Sequence, residues 1–295
     1  MHTPDGLITS WVCVLMLLLS AIPIVLALRN LRKDFSASKA ASIAGVAAII
    51  FLAQMLNFPI AEGTSGHLVG AAFALILLGL DGAVVAMASV LLIQAFVFGD
   101  GGALALGANI FNMGILGIYS ADFVITRLKM NRYVKTFAAS WVSVIAGSIA
   151  VSAELALSGT SAISLVLPAM AITHSIIGIG EGLLTILMVS IFANRLQNPS
   201  IRWSLAASGV FFLFIAILLP LASGSPDGLE SVAIRLGFFS MEKTIYSAPV
   251  PEYTLSLFAI PYLAIISAAA IGYILTYILA YSSVSVLGCI ESHRN

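Results

Sequence analysis

Residues 68–98 read LVGAAFALILLGLDGAVVAMASVLLIQAFVF, an almost unbroken apolar stretch with a single charged residue, Asp81. Such a stretch is long enough to cross the hydrocarbon core of a membrane, about 30 Å thick, as one helix. It is also compatible with two shorter helices that turn at Leu80, Asp81 and Gly82. The two alternatives place the next part of the chain on opposite sides of a membrane, so the topology depends on this segment.

Basic residues decide between the two alternatives. Lys and Arg near the ends of membrane spans collect on the cytoplasmic side. If residues 68–98 form a hairpin, all basic residues except Arg235 and Lys243 fall on one side, whereas a single span would divide them. These residues are Arg29, Arg32, Lys33, Lys39, Arg127, Lys129, Arg132, Lys135, Arg195, Arg202 and Arg294. We therefore predict a hairpin, about nine transmembrane helices, an N-terminus outside and a C-terminus inside.

The composition of the 295 residues agrees with a membrane protein. Hydrophobic residues make up 60% and charged residues 9% of the chain, against roughly 25% charged in an average soluble domain. The formal net charge is zero, so no overall field attracts nucleic acid. We expect an all-α, polytopic helical protein of the cell (plasma) membrane that contacts membrane lipids and no nucleic acid. The expected spans are residues 8–28, 40–60, 68–80, 82–98, 107–126, 136–157, 163–193, 203–221 and 254–287.

A polar seam at residues 193–202 predicts a module boundary, with one module at 1–195 and another at 196–295. The second module holds two predicted spans joined by a loop at 222–253. The tetrapeptide Pro-Asp-Gly-Leu occurs at residues 4–7 and again at 226–229, each time on the predicted outer face. Because the flanking sequences differ, we interpret the recurrence as the same turn chemistry used twice.

The N-terminus is expected to be retained. Its first seven residues hold no Lys or Arg, and no cleavage site follows the first apolar stretch, which argues against a signal peptide. Cys13 and Cys289 lie far apart without a CxxC spacing or a neighbouring histidine. We interpret both as small hydrophobic residues and predict neither a disulfide framework nor a zinc site.

The retained N-terminus supplies a candidate metal site. The amine of Met1, the amide of His2 and its imidazole are close enough to chelate one ion. His67, predicted on the same face, can add a fourth nitrogen. Square-planar nitrogen donors select Ni(II) or Cu(II), with Co(II) also accepted. Taken alone, His2 is more often a frayed terminal residue and His67 a helix cap at the interface, but the topology derived from Lys and Arg brings the two together.

Several polar residues lie within or beside the predicted spans, where they line cavities or bond to one another. We predict that they support the metal ligands or line a cavity, with interhelical hydrogen bonds as an equal alternative. They are Asn57, Ser65, Gln94, Asn109, Asn112, His174 and Glu181. The chain contains no GxxxxGK[ST] phosphate loop and no HExxH motif. Any ATP-driven step therefore needs another chain, and no residues indicate a hydrolase.

Four motifs in order along residues 1–195 resemble the NikM/CbiM family, the substrate-binding S components of energy-coupling factor (ECF) transporters for nickel and cobalt. They are MHxPDG from residue 1, QMLNFP from 54 with GTSGH from 63, DGG from 100 with LGANxxNM from 106, and HxxIGxGEG from 174. The SPDGLE segment at 225–230 resembles the PDGLE (NikN/CbiN-like) accessory module.

The resemblance implies that Met1, His2 and His67 hold Ni²⁺ or Co²⁺ as transported ions, with no resident cofactor. It also implies a transmembrane T component and ATP-binding A subunits as partners, so that the chain itself is not an enzyme. Two alternatives stay open. One is a stand-alone secondary metal transporter or channel driven by protons through Glu181, His174 and Asp122. The other is an intramembrane metalloenzyme with His174 and Glu181 as its catalytic pair.

Overall fold

The computed structural model describes residues 1–60, 63–196 and 199–292, with side chains through residue 286. Arg294, one of the basic residues predicted inside, lies beyond these ranges, as do Gln197 and Asn198 of the polar seam. The α-helices of the described residues are α1 (Ser10–Lys33), α2 (Ala37–Gln54), α3 (Ala71–Ile93), α4 (Leu106–Asn109), α5 (Gly117–Arg127), α6 (Arg132–Leu157), α7 (Ile163–Leu196), α8 (Ile201–Leu218), α9 (Gly228–Leu236) and α10 (Pro261–Ser292). Two short strands, β1 (Phe58–Pro59) and β2 (Ser65–Gly66), pair antiparallel before α3.

The predicted class, an all-α polytopic membrane protein, is confirmed. Eight helical segments of the described residues are long and apolar enough to cross a membrane. They expose large apolar side chains such as Trp203 and Ile217, as lipid-facing helices do. The number of these segments is one lower than the nine expected spans. The reason is that α3 and its π-helical extension Gln94–Phe98 form one continuous segment, where two spans were expected. The number of crossings and the orientation of the termini stay predictions.

That segment folds back on itself at Gly79, whose φ of 71° and ψ of 178° interrupt the helix. Gln54 links its two ends. The Nε2 of Gln54 donates to the carbonyl of Val69 at 2.7 Å, and its Oε1 accepts from Gln94 Nε2 at 2.6 Å. A straight helix would separate the ends of α3 by roughly 33 Å. The segment is therefore a hairpin, bent next to the predicted turn.

Helix α2 forms the centre of the bundle and is buried along almost its whole length. The last part of the chain packs directly on it. A Cβ at Gly45 would lie 2.4 Å from Ser204 Oγ of α8, and one at Gly272 of α10 would lie 2.0 Å from the Phe51 ring. Ser204 Oγ also donates to the carbonyl of Ala41 at 2.6 Å. The division at 195/196 stays a prediction, but the two parts share a close helix–helix interface.

Four segments between or before the long helices meet at one end of the bundle, which we call the site end. They are residues 1–9, 55–60 with 63–70, 99–105 and 222–260. The last of these contains the short helix α9, which begins with a capping box: Asp227 Oδ1 accepts from Glu230 N at 2.9 Å, and Glu230 Oε2 accepts from Asp227 N at 3.1 Å. This cap fixes the position of Asp227.

Candidate metal centre

The first five residues extend into the interior of the site end. Hydrogen bonds of the Thr3 backbone and of the Asp5 side chain hold them there. Thr3 N donates to Asn109 Oδ1 at 2.7 Å, and Asn109 Nδ2 donates back to the Thr3 carbonyl at 3.1 Å. Gly102 N donates to the same carbonyl at 2.9 Å. Asp5 Oδ1 accepts the N–H groups of residues 104 and 105 at 2.9 and 3.0 Å. Asn109, a predicted supporting residue, therefore fixes the segment that carries His2.

His2 and His67 come together as predicted from the topology. Their rings stack with centroids 5.2 Å apart and planes inclined by 15°. His67 Nδ1 lies 2.9 Å from the Leu68 carbonyl, and because a carbonyl only accepts, Nδ1 carries the proton and Nε2 keeps its lone pair. Burial, the nearby Met1 amine and His2 lower the pKa of His67 to about 4. A neutral imidazole with a free nitrogen is the form that binds metals.

The His2 ring also contacts Asp100. His2 Nδ1 lies 3.1 Å from Asp100 Oδ1, and the other carboxylate oxygen accepts from the Tyr253 hydroxyl. Burial alone would raise the pKa of Asp100, but the His2 and Tyr253 contacts lower it to about 2. His2 Nε2 is buried without a hydrogen-bond partner among the described residues. The His2 ring is thus oriented by the contact of Nδ1 with Asp100.

The Met1 amine donates to the carboxylate of Asp227, which lies 226 residues further along the chain. Both groups are largely buried, with side-chain exposures of 2% and 14%. Burial alone would raise the pKa of Asp227, but the ammonium and its hydrogen bonds hold this pKa well below its usual range. Potential ligand atoms of His2, His67 and Asp227 all lie within 4.8 Å of one another. This spacing allows one metal ion to contact several of them.

A cavity of about 10 Å³ adjoins these groups. Its lining includes Met1, His67 and Asp227 together with His174 from the middle of α7. Gly228 forms part of the wall at close range, since a Cβ there would lie 2.9 Å from His174 Nε2. His174, a predicted supporting residue, therefore faces the site.

Two further predicted residues connect the loop before α3 to the loop that carries Asp227. Ser65 N and Oγ donate to the carbonyls of Pro226 and Ser225, both at 2.8 Å. The backbone carbonyl of Asn57 accepts from Ser223 N at 2.8 Å. Ser65 and Asn57 thus hold the loop that carries Asp227 near His67.

Three other predicted residues serve the helix bundle. Gln94 belongs to the Gln54 link described above, and Asn112 Nδ2 donates to Glu154 Oε2 at 2.9 Å. Glu181 accepts the N–H groups of residues 69 and 70, just before α3, at 2.6 and 2.9 Å. These bonds occupy both oxygens of the carboxylate that the secondary-transporter alternative assigns to proton transfer and the metalloenzyme alternative to catalysis. For these residues, the interpretation as interhelical hydrogen bonds fits the geometry.

The sequence reasoning missed Asp100 and Asp227 as neighbours of the histidines. A signal for Asp227 was present, because the Pro-Asp-Gly-Leu tetrapeptide occurs twice and both copies lie at the site end. Each aspartate does shape a turn, as interpreted, since Asp5 accepts backbone N–H groups and Asp227 caps α9. Asp227 has a second oxygen to spare, and this oxygen binds the Met1 amine.

The chain is similar in sequence to known metal transport proteins. A family profile described as "Cobalt uptake substrate-specific transmembrane region" (CbiM) matches residues 2–199. The chain is 35% identical to the "Putative fused nickel transport protein NikMN" of Archaeoglobus fulgidus, over 96% of this chain and 97% of that protein. It is 31% identical to the "Cobalt transport protein CbiM" of Acetoanaerobium sticklandii, over 50% of this chain and 64% of that protein.

A solved structure also resembles the chain. The crystal structure of a truncated transition metal transporter superposes with a TM-score of 0.60 at 29% sequence identity, covering 66% of this chain and 99% of that one. The similarity to the fused Archaeoglobus protein runs through the C-terminal part as well, beyond the region matched by the family profile.

Proposed function

Because the chain belongs to the CbiM family of cobalt uptake transmembrane proteins, with a fused NikN-like part, we propose that it is the substrate-binding component of an ATP-driven ECF importer. It is a multi-pass membrane protein of nickel or cobalt transport. In the proposed function it captures Ni²⁺ or Co²⁺ at the extracytoplasmic face through the Met1 amine, the amide and imidazole of His2, and His67.

The observation that carries this proposal is the burial of the N-terminus beside His67. A chain terminus is normally solvated and mobile, yet Met1 and His2 are only 4% and 8% exposed. Ordering these residues costs conformational entropy, and the hydrogen bonds to Thr3 and Asp5 offset part of it. Such an arrangement is useful where the terminal nitrogens themselves act as ligands.

The donor set explains a preference for nickel or cobalt. Nitrogen donors in a plane suit Ni(II), whereas Mg²⁺ and Ca²⁺ require oxygen ligands. Chelation through the His2 amide, the Met1 amine and His2 Nδ1 closes two small rings, and His67 Nε2 completes the plane. To bind, the ammonium must release Asp227 and lose its proton, the His2 amide must lose its proton, and His2 Nδ1 must release Asp100 together with the proton it donates there. The two carboxylates thus hold the donors in place before the ion arrives.

ATP-dependent movement of the ion is assigned to other subunits. The chain carries no phosphate-binding loop, so the proposal includes a transmembrane T component and ATP-binding A subunits. Inactivating the ATPase should abolish uptake while leaving ion binding to this chain intact. Uptake that continues without ATP hydrolysis would favour the stand-alone transporter instead.

Uptake of ⁶³Ni²⁺ by proteoliposomes that contain the complete complex tests the ligand assignment. Inserting an alanine between Met1 and His2 changes the size of the chelate ring, and His67→Ala removes the fourth nitrogen. Each change should lower uptake by about ten-fold or more, as loss of a metal-site residue does. Asn30→Ala, which removes a hydrogen bond to Asp81 at the other end of the bundle, is the control and should transport normally. Unchanged uptake in both site variants would refute the proposed ligands.

A further inference from the structure

The imidazole of His174 has an unused lone pair. Its Nδ1 lies 2.9 Å from the Met170 carbonyl one turn earlier in α7, so Nδ1 carries the proton and Nε2 is the acceptor nitrogen. The residue is 1% exposed, and Nε2 has no hydrogen-bond partner among the described residues. A buried acceptor without a partner is costly, and it therefore requires an explanation.

His174 shares a cavity with groups that can bind metals. His174 lines the small cavity that Met1, His67 and Asp227 also line. The absence of a side chain at Gly228 lets the Asp227 loop approach the His174 ring, because a Cβ there would lie 2.9 Å from both Cε1 and Nε2. A cavity of about 10 Å³ is close to the size of one water molecule or one bare ion. His174 and Asp227 thus line the same small cavity.

His174 is not arranged to orient another ligand. A histidine that steadies a metal ligand does so by donating a ring N–H to it, but the His174 N–H is used by the Met170 carbonyl. The nitrogen that faces the cavity can only accept a hydrogen bond or bind a cation. A role through direct contact with the ion therefore fits the tautomer better than a supporting role.

We infer that His174 Nε2 and the Asp227 carboxylate form a receiving position, where a divalent transition-metal ion binds before it reaches the planar nitrogen set. The inference rests on the proposed function. The Met1 amine is already hydrogen-bonded to Asp227, whereas His174 Nε2 has no partner among the described residues and is free to accept an arriving ion. The ion replaces the ammonium at Asp227, the ammonium and the His2 amide release their protons to water, and the free amine then joins His2 and His67 around the ion.

A receiving position makes a distinctive kinetic prediction. Because it lies on the path both into and out of the planar site, its loss slows binding and release by the same factor and leaves the Kd unchanged. A residue that stays bound to the ion behaves differently, since its loss weakens binding and raises the Kd. A purely structural residue changes neither rate once the protein is folded.

Stopped-flow absorbance with Ni²⁺ alone, on the purified full chain with its native N-terminus, tests this prediction. His174→Phe keeps the ring volume and removes the lone pair. We expect both rate constants to fall about ten-fold, with the planar Ni(II) absorption band and the Kd retained. Thr185→Val is the matched control, because Thr185 Oγ1 is also buried on α7 without a partner among the described residues but lies outside the cavity. This variant should bind as the unmodified chain does.

Two results would overturn the inference. One is unchanged rate constants in His174→Phe; the other is a raised Kd together with an altered planar Ni(II) absorption band, which would make His174 a resident ligand. A second variant guards against misfolding. In His67→Ala the planar set is incomplete, and residual weak Ni²⁺ binding should disappear when His174→Phe is added. If His67→Ala instead binds with full affinity and the planar band, the proposed function fails independently of His174.

Discussion

The Met1 amine is a buried positive charge, and Asp227 balances it. An ammonium removed from water is strongly destabilising unless a counter-charge and hydrogen bonds compensate. Asp227 supplies both and is itself fixed by the capping box with Glu230. The ion pair therefore holds the N-terminus next to His67. The amine and the carboxylate have to separate when the amine binds an ion.

Replacing Asp227 by asparagine should destabilise the metal-free protein by about 3 kcal/mol, because a buried charge is left without its partner. The deficit should shrink when Ni²⁺ is bound, since the amine then coordinates the ion and carries no charge. Thermal unfolding in detergent, with and without Ni²⁺, measures both quantities. Asp34→Asn is the control, because it removes an exposed ion pair with Lys39 that contributes at most about 1 kcal/mol. An equal deficit with and without Ni²⁺ would contradict this account.

At the level of single elements, the hairpin in α3 depends on one backbone position. Gly79, with φ 71° and ψ 178°, occupies a region that residues with a Cβ rarely adopt. Asp81 follows it and accepts from Asn30 Nδ2 at 3.3 Å near the end of α1. The turn therefore lies beside the first cluster of basic residues, which is where the charge distribution predicted it.

Gly79→Ala should lower the free energy of unfolding by about 1–3 kcal/mol, because alanine is strained in this backbone conformation. A steric clash is not the cause, since a Cβ there would meet nothing within 4 Å. Thermal unfolding of the purified protein checks the size of the loss. Gly209→Ala in α8 is the matched control: it lies in a regular helix with room for a Cβ, so we expect no loss or a small gain. Equal stability of both variants would show that the hairpin does not depend on the glycine conformation.

The hairpin and the pairing of His2 with His67 could be predicted because they follow from hydropathy and from the placement of charge. The contact between Met1 and Asp227 could not, because it joins residues 226 positions apart and depends on how two loops fold over the helix ends. The roles of Gln94, Asn112 and Glu181 could not be predicted from the sequence either. A polar residue in a span needs a partner, but one sequence does not say whether that partner is an ion or another helix.

At the scale of the whole molecule, the candidate site crosses the boundary of the family profile. His2 and His67 lie within the profile at 2–199 and Met1 directly precedes it, whereas Asp227 belongs to the C-terminal part. That part is anchored by α8 and α10, which pack on the central helix α2. The loop over the site therefore has a rigid base, and its aspartate is presented to the N-terminus in a defined position.

The membrane orientation can be tested by cysteine labelling in a Cys13→Ala, Cys289→Ala background. We expect Asp81→Cys to react with a membrane-impermeant maleimide only from the cytoplasmic side, because the hairpin turn lies beside the basic cluster. Thr244→Cys, in the exposed loop over the site, should react only from outside and serves as the opposite-side control. Labelling of both positions from the same side would rule out the predicted topology.

The central claim is that the N-terminal nitrogens and His67 bind the transported ion. X-ray absorption at the nickel K-edge, on the purified full chain with a free native N-terminus, tests it most directly. We predict a planar site of four nitrogen donors that is lost when an alanine is inserted between Met1 and His2. A six-coordinate, oxygen-rich spectrum that the insertion leaves unchanged would contradict the account.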